Sequence, residues 1–457
     1  MHLIPENLIK NLLALWTGDF KNLDEGTGEY RLSDAVLNAI GDECVRAGDT
    51  TPSVFGARVP HLVTQRHHYI AETYTLFTTL LAPVLLRGRF RKDKYYQHVL
   101  DLVSIFDDCT GLSLNFDYVD QDLRMRVANW VQTYEKYYYQ HNPSRVSACP
   151  LTIHALLHIP DDILNAGPMP CYWNYVTERW VGFLVRSSKS RKNPYASFAR
   201  RLREIAQNSA IKVRFHLHDE LELSESRAED RTGTAVTGCK PDFSKINLLY
   251  PDIRLLKPYR QQSPTPQLRK ALQDYIQKTF RVDGTDIKQY VPETISHWAK
   301  ISFRLGGGDK MDGSEMVHYS EQNSSRDATF IKYSRQVDRN ERSHRRDVDW
   351  YSKVEYGQLL RVVQFKCPLP FIWENNHVAQ DSKMLLLAIV RSVKQVKSPR
   401  GAASDIPYCK NGEFGAIHVI SVDEISCLVA RVPDHGSGSA LSALRERHDA
   451  MDAADNE

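Results

Sequence analysis

Two histidines, His154 and His158, stand four residues apart in the apolar run LTIHALLH. On one helical face that spacing is the geometry of a two-histidine metal site. HALLH lacks the glutamate of a metalloprotease motif and has no third ligand nearby, so both are expected as structural core histidines bonded to backbone or carboxylate. A break at Gly167–Pro168 follows, and then an aromatic segment carrying one lone carboxylate, Glu178, beside Arg179. A carboxylate there can hold a divalent ion or move a proton. Equally, it can pair with Arg179 or a more distant cation, or face water. From Arg186 to Arg203 come seven cations and no acid: Arg186, Lys189, Arg191, Lys192, Arg200, Arg201 and Arg203. Each can neutralise a phosphate, with Tyr195 and Phe198 placed to stack or pack. The competing reading is the solvated flank of a basic helix.

The elements that must carry these residues read as helices up to about residue 210. Leu8–Trp16 is amphipathic, and Ser33 is an N-cap for Asp34–Ala47, which is expected to end at Gly48. Gln65–Leu86, Lys92–Cys109 and Asp117–Gln140 repeat apolar residues at helical spacing. Leu151–His158, Tyr172–Val185 and Tyr195–Gln207 complete a bundle-like set. The stripe on Leu8–Trp16 needs a cover, either downstream or in a segment preceding this chain. Tyr137, Tyr138 and Tyr139 read as the amphipathic end of a helix, not a stacking platform.

Beyond residue 210 the pattern changes. Residues 211–296 contain the acidic, apolar-poor HDELELSESRAEDRTGT and read as a partly disordered linker with one short helix near Leu268–Phe280. Residues 297–433 hold short β-rich runs separated by turn residues: TFIKYSR, KVEYGQLLRVVQFKCP, MLLLAIVRSVKQV, FGAIHVISV and ISCLVARV. They predict a small antiparallel barrel or sandwich. GGG at 306–308 lacks a following Lys-Ser/Thr and reads as a hairpin turn. Residues 434–457 are rich in Gly, Ser and charge and read as a frayed tail. The predicted fold class is therefore α+β: an all-helical domain (1–210), a linker, a β-rich module and a tail.

Bulk properties narrow the function classes. The 457 residues carry 59 Lys and Arg against 56 Asp and Glu, so any polyanion signal must be local. The eight cysteines are scattered with no C-x-x-C pair, which argues against a zinc ribbon and for reduced thiols. Pro5 and Glu6 stand where a secretory signal needs a basic and then an apolar stretch. The most apolar region, Ile70–Leu86, is interrupted by Glu72, threonines and Pro83. A soluble intracellular protein with no membrane partner is expected.

These segments together resemble the CACTA (En/Spm-like) DNA transposases of the type common in basidiomycete fungi. LLALWTGDFKNLDEGTGEY with TPSVFG is similar to the stretch following the catalytic core in that family, and LLAPVLLRGRFRKDKYYQHVLDLV to its next helical block. LTIHALLHIPDDILNAGPMPCYWNYVTERWVGFL with KSRKNPYASFARRL resembles the family's companion domain of unknown function. GGGDKM, SRDATFIKY, YGQLLRV and ISCLVARVPD resemble the β-rich tail of the fungal proteins. The resemblance implies a nuclear, DNA-binding, transposon-derived protein, and makes Glu178 the position for the third acid of a two-metal RNase H-like site. That site needs two further aspartates; Asp19 and Asp24 align with non-catalytic positions. The chain is thus expected to be a C-terminal portion of such a transposase, inactive alone. Mg²⁺ or Mn²⁺ would enter only if the acidic triad were completed, for instance by a protein partner supplying the catalytic core. The alternative expectation is a non-enzymatic protein- or chromatin-interaction module.

Overall fold

Ser33 sits in extended backbone and accepts from the amide of Val36, ending one chain direction and starting a helix. Such local signals set the helical half. The computed structural model describes residues 3–24, 26–187, 192–217, 253–280, 287–303, 309–317, 326–340, 349–367, 383–403, 406–434 and 441–446. A wide π-type turn, Leu3–Ile9, leads into α1 (Lys10–Thr17), followed by α2 (Asp34–Thr50). Next come α3 (Ala71–Leu76) and α4 (Ala82–Leu85), joined through a π segment, and α5 (Asp93–Thr110). Then follow α6 (Phe116–Tyr118), α7 (Arg124–Tyr134), α8 (Leu151–Leu156) and α9 (Ile159–Ala166). Two boundaries differ from the sequence pattern. α2 runs through Gly48 to Thr50, because its last turn packs on the β-rich half: the Thr50 hydroxyl donates to the Arg431 carbonyl. The helix expected from Gln65 begins at Ala71, after a short 3₁₀ turn at Arg66–His68.

The apolar stripe of the first helix is covered downstream. Leu8, Leu12, Leu13 and Trp16 are buried, and the opening turn packs on α3 and α8. Trp16 Nε1 donates to the Tyr138 hydroxyl at 3.2 Å. Tyr138 belongs to a packed aromatic group with Tyr30, Tyr95, Tyr134 and His98, which places the Tyr137–Tyr139 triplet at a helix end facing the core. Arg145, 1% exposed at its side chain, lies beneath this group. Its guanidinium donates to the Tyr138 carbonyl, the Tyr30 hydroxyl and the Asp24 carboxylate. Asp19 pairs with Arg66 at 3.2 Å.

Two further helices, α10 (Tyr175–Ser187) and α11 (Pro194–Phe215), precede the β-rich half. It opens with β1 (Ile253–Gln262), α12 (Pro266–Phe280), β2 (Ile295–Phe303), β3 (Lys310–Asp312) and β4 (Phe330–Asp338). β5 (Trp350–Cys367), β6 (Lys383–Val396), β7 (Tyr408–Ser421), β8 (Ile425–Asp434) and β9 (Leu441–Glu446) complete it. Six strands close a ring in the order β5–β4–β8–β9–β7–β6 and back to β5, every pairing antiparallel. A closed ring removes sheet edges. One edge of β2 pairs with the C-terminal part of β5 through Ser296–Trp298 and with β3 through Lys300–Ser302, and its other edge pairs with β1.

β6 shows why the barrel needs covers on both faces. Leu386, Ala388 and Val390 join the large core, while the alternating Leu385, Leu387 and Ile389 point the other way, onto Leu272, Ile276 and Phe280 of α12. The fold class is α+β, helices first and an antiparallel barrel after, as the periodicity predicts. The helix expected near Leu268–Phe280 is present as α12, while two strands lie where the sequence pattern predicts little structure. β1 occupies the stretch read as a linker, and β9 the stretch read as a frayed tail. Both are held by pairing or packing with distant partners.

By contacts the chain divides into two compact units, Met1–Tyr172 with Asn247–Asn456, and Trp173–Ile246. In the first, one continuous buried cluster runs from Leu12, Trp16 and Leu102 to Ile331, Leu359 and Leu428. Arg87 also reaches the buried carboxylate of Asp434 with two hydrogen bonds, at 2.9 and 2.7 Å. Among its described residues the second unit holds the helices α10 and α11.

Candidate nucleic-acid interface

Pro194 starts α11 where its missing N–H costs nothing, and the twenty-two-residue helix contains no glycine. One face of that helix meets α10. Phe198, Arg201, Ile205 and Lys212 are half-buried along it, and the Arg201 guanidinium lies 5.8 Å from the centre of the Phe183 ring. Phe183 in turn stacks on Trp180 at 5.3 Å. Arg201 also pairs with Glu204 at 3.5 Å, and Glu204 is the one acid in α11.

Away from α10 the cations stand in solvent. Arg186 at the end of α10, Lys192 in the loop, and Arg200 and Arg203 on α11 are all exposed. Lys189 and Arg191 lie outside the described residues, and only the backbone of Arg179, within α10, is described. Two cations missed by the sequence reading lie in the last turn of α11: Arg214, which extends the exposed strip, and Lys212, half-buried on the side facing α10. The helical pattern was read as stopping at Gln207; Ile205 and Ile211 continued it. At 100° per residue Arg200, Arg203 and Arg214 share one side of the helix, which puts phosphate-binding groups about 20 Å apart along its axis.

Glu178 is exposed in the first turn of α10. A carboxylate there is favoured by the helix dipole with no catalytic duty required. His154 and His158 correct the sequence expectation. Both are exposed, not core: α8 buries Ile153 and Leu156 and ends there, so the histidines fall on its solvent side. His158 forms the start of α9, and the two imidazole Nε2 atoms approach to 3.2 Å. Among the described residues no three His, Cys, Asp or Glu side chains gather as metal ligands. Gly167 adopts φ +85° at the end of α9, a left-handed conformation that explains the glycine, and Pro168 then leads a 3₁₀ turn.

A second concentration of charged groups, unsuspected from the sequence, forms where β4 and β5 pair. Tyr333 faces Glu355 and Arg335 faces Lys353 in the ladder. Arg335 donates to Glu355 at 2.8 Å, Lys353 at 2.6 Å and Tyr333 at 3.3 Å, with His418 at 4.0 Å. Burial pushes the Glu355 carboxyl up, but the bonds from Arg335 and Lys353 outweigh it and hold the pKa at about 2. Arg335, Lys353 and Tyr333 all bond to this carboxylate, so the cluster reads as a ladder-locking ion network.

No family model, curated protein or solved structure matches the chain. Among the described residues no helix is long and apolar enough to cross a membrane.

Proposed function

We propose that this chain binds DNA through the α10–α11 unit, as a transposon-derived nuclear protein of the CACTA-like type. The observation that carries the reading is the charge of α11: Arg200, Arg201, Arg203, Lys212 and Arg214 against the single acid Glu204, with Arg200, Arg203 and Arg214 open to solvent on one side. A rigid helix with spaced cations suits the phosphate backbone, which supplies sequence-independent affinity. The motif order Cys149–Arg203 and its likeness to the companion domain of CACTA transposases support the same reading. The role proposed is binding. Cleavage chemistry with Mg²⁺ or Mn²⁺ belongs on this reading to a partner supplying further acids, beside which Glu178 would stand.

The test is fluorescence anisotropy with duplex DNA across a salt series. The expected slope of log affinity against log salt falls by about 0.9 for each phosphate contact removed. Arg200→Ala, Arg203→Ala and Arg214→Ala combined should therefore flatten it by nearly three. Absence of binding at low salt, or a slope unchanged by the triple substitution, rejects the proposal. A second reading, a protein- or chromatin-interaction module, is favoured by the exposed apolar residues of the same unit, among them Trp180, Val181 and Val185.

A further inference from the structure

His154 and His158 take no part in the α10–α11 unit; they form a donor pair of their own in the first compact unit. Both side chains are exposed, with the rings at 79° and the two Nε2 atoms 3.2 Å apart. The backbone that carries them is tightly bonded. The Leu157 amide donates to the His154 carbonyl at 3.0 Å and the His158 amide to the Ala155 carbonyl at 3.2 Å. The Asp162 amide then takes the His158 carbonyl at 3.0 Å. Ile153 and Leu156 of α8 and Ile159 and Ile163 of α9 are buried, so both helices are anchored on the side away from the imidazoles.

We propose that this pair chelates a late first-row divalent cation, Zn²⁺, Ni²⁺ or Cu²⁺, through the two Nε2 atoms. Imidazole nitrogen suits these ions, whereas Mg²⁺ and Ca²⁺ take oxygen. With nitrogens 3.2 Å apart, an ion at the usual zinc–nitrogen distance of about 2.0–2.1 Å subtends them at roughly 100–106°, near the tetrahedral angle. The separation therefore fits chelation with no movement of either helix. Without an ion the same contact is one hydrogen bond, in which one ring donates and the other accepts. Binding requires both rings to carry the proton on Nδ1, a change of tautomer in one of them, and exchanges that hydrogen bond for two metal–nitrogen bonds. Asp161 and Asp162, in the first turn of α9, add negative charge beside the pair, with Asp161 shared by Arg124 at 2.7 Å. Two coordination positions stay open to water. No glutamate stands between the histidines to act as a base, so the role assigned is binding. The ion ties α8 to α9 across the Leu157–His158 turn, and the proposal is independent of DNA binding through α11.

Isothermal titration of the full chain with ZnCl₂, set against its variants, tests it. The chain has 17 histidines, so the site is read as the difference between isotherms. The expected result is a saturable site that weakens about 100-fold in His154→Gln and equally in His158→Gln, because either change leaves one imidazole in place of a chelating pair. Both positions are exposed, so circular dichroism should be unchanged in the two variants. Thermal unfolding gives a second readout. The converged pair exists only in the folded chain, so Zn²⁺ should raise the native midpoint relative to both variants. Isotherms that coincide in the native chain and the variants, a loss confined to one of the two histidines, or midpoints that Zn²⁺ moves equally in all three chains overturns the proposal.

Discussion

His98 shows how one side chain sets a pH limit on the native state. Its ring lies 4.3 Å from Trp130 at 8° between planes, buried among Tyr134, Tyr137 and Tyr138. Burial pulls its pKa down from 6.5 to about 4, against a smaller upward pull from the Trp130 carbonyl. Above 6.5 both native and unfolded chains hold this group neutral, and its contribution is complete. As pH falls from 6.5 toward 4 only the unfolded chain takes the proton, and stability declines by up to about 3 kcal/mol. Urea unfolding at pH 7.5 and 5 should show a larger loss for the native chain than for His98→Gln; equal losses would sink the assignment. At this scale the sequence was a poor guide to burial. His154 and His158 sat in an apolar run yet point to solvent, whereas His98, beside Gln97 and between Lys94 and Asp101 in KYYQHVLDL, is enclosed. Which side of a helix faces the core depends on what packs there.

Elements were more legible, because periodicity is a local property. The long strands β5 and β6 alternate apolar residues strongly enough to be read directly, and α5 and α7 repeat at helical spacing. Of the shorter strands β4 and β8 were legible as TFIKYSR and ISCLVARV, whereas β1, β3 and β9 were not. β9 has six residues and follows a Gly/Ser-rich stretch, yet it pairs with both β8 and β7 and so closes the ring. A chain ending at Asp434 would leave the paired edges of β7 and β8 open to intermolecular pairing. Light scattering during refolding should report aggregation of that shortened chain while the full chain remains clear. If the shortened chain refolds without scattering, β9 is not what closes the barrel.

Across the whole molecule the first unit joins segments far apart in the sequence. Arg87 with Asp434, the Arg445 guanidinium with the Thr79 carbonyl at 2.6 Å, and Arg326 with the Gly56 carbonyl at 2.7 Å tie the helices to the barrel. Arg87→Met removes one partner of the buried ion pair with Asp434, at a cost of about 3–5 kcal/mol. Because one core spans both halves, the near-UV signals of Trp16 and Trp298, each isolated by difference from its Phe variant, should melt together in the native chain and shift together in Arg87→Met. Two separated transitions would refute the shared core.

From the amino acids alone came the class of each long element, hence α+β, and the clustering of cations between Arg186 and Arg203. Both follow from neighbours within a few residues, where spacing and charge are written in the chain itself. Tertiary structure alone decided that β1 and α12 serve the barrel, that β9 completes it, that Leu12 and Leu428 share one interior, and that the histidine pair stands outside. Those outcomes depend on which distant surfaces win one another by burial and strand register, and no local pattern names its partner.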